Sequence, residues 1–178
     1  MEVNDSSYWR EFGRNRVTHS SAHYLMAIDK LREELGYARA TDVAERLEVS
    51  RGAASMAVTQ LKKRGWVSED PHRFLLLTEE GKRLADRVEQ NFLILSKFFE
   101  EVLEVPRDTA QADACKMEHL LSSETGRRLV CLMRCILNDE EREALVRDAM
   151  TRFDRDCASV EECLNFDEEC GCQGEENA

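Results

Sequence analysis

The chain has 178 residues, 42% hydrophobic and 34% charged, the balance of a soluble globular protein of one or two small domains. No apolar run approaches the roughly 18 residues that span a bilayer, and the first residues hold no apolar signal region, so a membrane or exported protein is not expected and a cytoplasmic one is. The net charge of -11 argues against a nucleic-acid binder only until its distribution is read: residues 1 to 90 carry 15 Lys+Arg against 15 Asp+Glu, residues 91 to 138 carry 6 against 7, and residues 139 to 178 carry 4 against 14.

With two prolines and many helix formers the chain is expected to be mainly α. The first clear element starts at Thr41, where Val43, Ala44 and Leu47 share one face of a short helix. Glu48-Val49 makes a turn, and Ser50 caps a second helix whose Ala54, Val58 and Leu61 face inward at i, i+4, i+7. Gly65 ends it. Its outer face offers Arg51, Ser55, Thr59, Lys62 and Lys63, donors suited to phosphates and base edges, although exposed polar residues on helices are usually only solvated. Trp66-Val67-Ser68, a turn over residues 69 to 73, and Phe74 to Leu77 read as a two-stranded wing with His72 and Arg73 at its tip. Turn, caps and hairpin together describe a winged helix-turn-helix, the kind of module that reads double-stranded operator DNA.

Thr78 caps a long helix with Glu79 and Glu80 in its first turn, and Leu84, Val88, Phe92, Leu95, Phe99 and Leu103 run as an apolar stripe to about Glu104, where Pro106 breaks it. A helix follows that carries Cys115, Glu118 and His119. The spacing i, i+3, i+4 puts thiol, carboxylate and imidazole on one helical face, a donor set for a first-row dication; a solvated Glu-His pair beside an inert cysteine fits the same spacing. A further helix, about Ser123 to Leu137, has Leu129, Leu132, Met133 and Ile136 as its apolar face. These helices read as a dimerisation layer, since a helix-turn-helix usually binds two half-sites as a two-fold dimer. Cys131 and Cys135 also share a face and read as small core groups.

Asn138 and Glu141 form a capping-box pattern for an amphipathic helix with Leu145, Ala149, Met150 and Phe153, ending near Asp156. Beyond it stand Cys157, Cys163, Cys170 and Cys172 among acidic residues. Four cysteines in so short a stretch could hold an iron-sulfur cluster or tetrahedral zinc, although their spacing matches no zinc-ribbon or ferredoxin pattern; a redox-active tail and an inert one are the other readings.

The order of parts resembles a known family, the metal-dependent repressors of the diphtheria toxin repressor and manganese transport regulator type. The resemblance runs from about Ser20 to Leu137. It is carried by Tyr24-Leu25-Met26-Ala27-Ile28, by the helix-turn-helix from Ala40 to Val67, by Leu77-Thr78-Glu79-Glu80-Gly81, and above all by the segment Ala114 to Ser122. It implies that Cys115, Glu118 and His119 are primary metal ligands and that His23 supplies the ligand from the first helix. Iron-type members place Met at the position of His23 and manganese-type members Asp, so a centre with one Cys, one Glu and two His is expected to favour Fe(II), with Zn(II) or Co(II) competent and Mn(II) less well matched. Phe92, Ser96 and Gln111 stand where the family has second-site ligands, so one metal per subunit is expected in this region. His19, four residues before His23, reads as a surface or capping residue near a helix start.

The expected architecture is therefore a winged helix-turn-helix over residues 1–78, a helical metal-binding and dimerisation domain over 79–137, and an acidic helix with a Cys-rich tail over 138–178. The expected function is a homodimeric repressor that senses divalent metal, most readily Fe(II), and controls metal uptake. The alternative is a regulator that senses through an iron-sulfur cluster or redox couple on the tail cysteines. A metal-buffering or hydrolytic protein is the third reading; no nucleophile-base motif supports an enzyme and no small-molecule substrate is expected.

Overall fold

The computed structural model describes residues 17–156; the tail cysteines Cys157, Cys163, Cys170 and Cys172 lie outside them. Helix α1, His19–Leu35, is capped by Thr18, whose hydroxyl accepts from the Ser21 amide, and ends at Gly36 in the left-handed region, φ 80°. It buries Ala22, Leu25, Ile28 and Leu31. Helices α2, Ala40–Arg46, and α3, Arg51–Lys63, form the helix-turn-helix. Ser50 caps α3 by accepting from the Ala53 amide, and Ala54, Val58 and Leu61 are buried as their spacing requires.

Strands β1, Val67–Glu69, and β2, Leu75–Leu77, pair antiparallel with Val67 opposite Leu77. The turn between them is held by Asp70, whose Oδ1 accepts from the amides of His72 and Phe74 at 2.9 and 2.8 Å, and Arg73 takes a positive φ of 65°. The Leu75 amide donates to the Ala38 carbonyl at 2.8 Å, tying the hairpin back to the loop before α2. Trp66, 2% exposed, anchors the hairpin in the core built from α1, α2 and α3.

Helix α4, Glu79–Lys97, is capped by Thr78 and continues into one wider π-type turn, Phe98–Val102. Its first turn crosses Trp66 so closely that a Cβ at Gly81 would lie 2.0 Å from the Trp66 carbonyl oxygen. Only glycine permits that approach. The buried face of α4 differs from the expected stripe: Ala85, Val88, Asn91, Leu95 and Ser96 are buried, whereas Phe92 is half-buried and Leu103 is 40% exposed. The polar Asn91 on this line hides the true core face from a reading of apolar spacing. Ion pairs Lys82–Asp29, 2.7 Å, and Lys30–Glu89, 2.8 Å, join α1 to α4.

Helix α5, Arg107–Met117, packs along α4. Helices α6, Ser123–Leu137, and α7, Glu140–Asp156, follow. The described residues form two compact units divided after Arg127, so that α1 to α5 with the hairpin lie in the first. In the second, Met133 is buried while Leu132 and Leu145 are 46% and 61% exposed. Cys131 and Cys135, expected as core groups, are both exposed, because the buried face of α6 passes through Met133 and leaves those two positions turned outward. No helix among the described residues is long and apolar enough to cross a membrane.

Candidate metal centre and nucleic-acid interface

Two elements far apart in sequence meet at one cluster. The first turns of α1 present His19 and His23 on one face, and the end of α5 presents Cys115 and Glu118. One ligand atom from each of the four lies within 4.8 Å of every other. His23 Nε2 is 3.3 Å from Cys115 Sγ and 3.6 Å from Glu118 Oε1. Helix α5 ends at Met117, so Glu118 and His119 occupy the turn that follows it; Glu118 keeps helical dihedrals and its amide donates to the Ala114 carbonyl at 2.8 Å. Cys115 and Glu118 thus stay on one face as their spacing predicts. His119, expected beside them, is not in the four-residue set; its ring centroid is 5.4 Å from that of His19.

Glu118 is the most unusual residue here. It is 1% exposed, and its Oε1 has no hydrogen-bond partner among the described residues. Burial pushes its carboxyl up to about 7. An ionised carboxylate in such surroundings is costly unless a cation faces it. The same burial raises the Cys115 thiol, helped by Glu118 and partly offset by Lys116. Burial also lowers His23, followed by the charges of His19 and His119, and lowers His119, followed by that of His19. Neutral imidazoles, a thiol and an orphaned carboxylate oxygen are the donors a divalent first-row metal takes. The residues present fit such an ion.

Behind the ligands, the buried Asn91 amide of α4 donates to the Glu118 carbonyl at 2.7 Å and the Leu121 carbonyl at 3.0 Å. It fixes the ligand turn against α4. Nothing in the apolar periodicity marks Asn91; an uncharged polar residue on an otherwise buried line is the signal that could have found it. His19, read from sequence as a surface or capping residue, is exposed, and the cap is Thr18; its imidazole nevertheless joins the cluster because α1 begins early enough to place i and i+4 on the same face.

The expected DNA-contacting residues Arg51, Ser55, Thr59, Lys62, Lys63 and Arg73 are all exposed. Ser55, Thr59, Lys62 and Arg73 line one groove of about 290 Å³ between α3 and the hairpin, together with Arg39 and Thr41. Two of them already have partners: the Thr59 hydroxyl donates to the Ser55 carbonyl at 2.8 Å, and Lys62 pairs with Glu69 of β1. Arg39, which the sequence reading passes over, stacks on Phe74 with 4.8 Å from guanidinium to ring centroid. Met56 is 70% exposed on α3, an apolar group next to Ser55.

A helix-turn-helix with a β hairpin, coupled through its first helix to a Cys/His/Glu cluster on a helical layer, defines a class: DNA-binding regulators that carry a metal site. Comparison with known proteins makes the class specific. Residues 16–75 match the iron dependent repressor N-terminal DNA binding domain, and residues 78–143 the iron dependent repressor metal binding and dimerisation domain. The regulator MntR of Geobacillus kaustophilus is 30% identical over 135 residues, covering 76% of this chain and 95% of MntR. The iron-dependent repressor IdeR of Mycobacterium tuberculosis is 31% identical over 116 residues, 65% of this chain and 50% of IdeR. Among solved structures, that of the manganese regulator SloR superposes with a TM-score of 0.58 at 26% identity, covering 64% of this chain and 53% of SloR. IdeR of T. acidophilum gives a TM-score of 0.52 at 22% identity over 61% and 51% of the two chains, a likeness of fold.

The chain belongs to the iron-dependent repressor family. Members of that family are transcriptional repressors rather than enzymes. The chain spans about half the length of its IdeR relatives, and neither family match reaches the tail cysteines.

Proposed function

We propose that the protein is a homodimeric repressor that binds operator DNA when a divalent cation, Fe(II) first among them, occupies the cluster between α1 and the end of α5. The observation that carries this reading is the convergence of His23 with Cys115 and the orphaned Glu118 oxygen, from residues 92 and 95 positions apart in the sequence, within 3.6 Å. When bound, the cation supplies a crosslink between the helix that supports the DNA-reading module and the helical layer. Fixing that link removes the conformational freedom that operator binding would otherwise have to restrict, and it sets the two recognition helices of a dimer one DNA turn, roughly 34 Å, apart.

Arg51 and Ser55 near the start of α3 would read bases, with Thr59, Lys62, Lys63 and Arg73 on the backbone. Residues 1–78 then form the DNA-reading region and 79–137 the metal-binding and dimerising one. The exposed apolar groups Leu93, Met117 and Leu120 of the helical layer support a second copy as partner. A thiolate with imidazoles favours Fe(II), Zn(II) or Co(II) over Mn(II), which prefers oxygen donors.

The test is operator binding, selected from a random duplex pool and measured anaerobically by fluorescence anisotropy with Fe(II) or with chelator. Metal should tighten binding by at least tenfold, within the roughly 5–150-fold range of allosteric coupling, and Cys115→Ala should remove the stimulation. Equal affinity with and without metal, or stimulation that survives Cys115→Ala, would be incompatible with the proposal.

A further inference from the structure

We propose that the groove between α2, α3 and the hairpin is a seat for one phosphate group, with Arg39 as the residue that holds it and Glu69 as the counter-ion it displaces. The inference rests on the operator-binding reading above and names the chemistry of one part of that surface.

Charge is the first support. The groove, about 290 Å³, is lined by Arg39, Lys62 and Arg73 against a single carboxylate, Glu69. Lys62 is paired with Glu69, whereas neither arginine has a carboxylate partner among the described residues. Two unpaired guanidinium groups beside a closed ion pair select an anion.

Geometry is the second. The Arg39 guanidinium lies 4.8 Å from the Phe74 ring centroid and 5.7 Å from that of Tyr37, and the two rings are 5.2 Å apart. Stacking covers the face of the guanidinium and leaves the N–H fork at its edge free, the arrangement that matches two phosphate oxygens. The Arg39 amide donates to Asp42 Oδ2 at 3.1 Å, which fixes the base of the side chain. Arg73 arrives from the opposite wall, on a turn that Asp70 holds and where Arg73 itself takes a φ of 65°. Three separate elements thus bring one cation each to a single groove.

Glu69 then has a defined role. An incoming phosphate competes with it for Lys62, and an exposed ion pair is cheap to exchange and screened by salt. Its charge stays beside the bound phosphate and opposes it. Glu69 therefore weakens the sequence-independent part of binding, which raises the share left to base contacts.

The test uses the full chain with Fe(II) under anaerobic conditions and the selected operator duplex, in which single phosphodiesters are replaced by uncharged methylphosphonates. The wild type should lose several-fold in affinity at one linkage per half-site. Arg39→Gln, at an exposed position, should bind the unmodified duplex several-fold more weakly, with a salt slope lower by roughly one per half-site, and should not respond to replacement of that linkage. Arg39→Lys should restore the slope without the full affinity, since it keeps the charge and loses the fork. Glu69→Gln should bind operator and an unrelated duplex several-fold more tightly alike. If no linkage loses its effect in Arg39→Gln, or if Glu69→Gln weakens both duplexes, the seat is overturned. Inorganic phosphate, at ionic strength held constant with chloride, should displace the duplex no better than chloride does; specific displacement by it would assign the groove to free phosphate and overturn the backbone assignment. A duplex bound equally with Fe(II) and with chelator would overturn the metal reading alone, and the same scan would still decide the seat. A wild type that binds no duplex under either condition would overturn the operator reading and the seat with it.

Discussion

Glu118 pits function against stability within one side chain. In the folded, metal-free protein its carboxyl titrates near 7 rather than at its ordinary 4.5, because burial penalises the charge. A raised carboxyl stabilises the fold fully below about 4.5 and loses that contribution as pH rises through about 7, since the unfolded chain ionises the group more readily. The Glu118 contribution to the stability of the metal-free protein should therefore fall between about pH 4.5 and about pH 7, whereas His23 and His119, held below their ordinary value, contribute in the opposite sense, so the comparison is made against a Glu118 variant. Glu118→Gln keeps the shape and removes the charge. In chelator, its melting temperature should exceed that of the wild type by a margin that widens over that interval, even as the variant loses its metal. Thermal melts at a series of pH values measure it; a constant or shrinking margin would show that the buried charge carries no such cost.

The ligand turn is held from outside by one helix, α4, and Asn91 is the point of attachment. Asn91→Ala leaves the Glu118 and Leu121 carbonyls without their donor, which should cost about 1–3 kcal/mol and, by loosening the turn, weaken Co(II) roughly 10–100-fold. Chemical denaturation and a Co(II) titration on the same variant test both parts; a loss of stability with unchanged affinity would make Asn91 a packing residue only. The element scale also shows what a sequence can carry. The helix-turn-helix, its Ser50 cap and the hairpin were legible because each depends on local spacing and turn chemistry. Cys115 and Glu118 were legible as a pair for the same reason. The place of His19 beside the cluster was not, because it depends on which end of α5 faces the first turn of α1, a tertiary fact that spacing cannot supply. Nor was the face of α4, where a buried Asn interrupts the apolar period, or the exposure of Cys131 and Cys135, which depends on how α6 is packed.

At the scale of the whole molecule, the cluster and the DNA-reading surface share one compact unit, residues 1–127, and α1 belongs to both: His19 and His23 lie on it, and its Arg32 donates to the Leu75 carbonyl of the hairpin at 3.2 Å. A continuous helix of 17 residues therefore links the cluster to the wing without an intervening loop. Coupling through it has to be reciprocal: whatever factor metal adds to operator affinity, operator must add to metal affinity. The visible bands of the Co(II) protein allow the second factor to be measured directly, by titrating Co(II) with and without saturating operator duplex, while anisotropy gives the first. The two factors should agree within error, and both should fall together in Arg32→Ala if the contact between α1 and the hairpin carries part of the coupling. Matching factors that survive this substitution would route the coupling elsewhere, through the ion pairs of α1 with α4; factors that differ would mean that Co(II) also binds DNA-competent protein at a second position, outside this cluster.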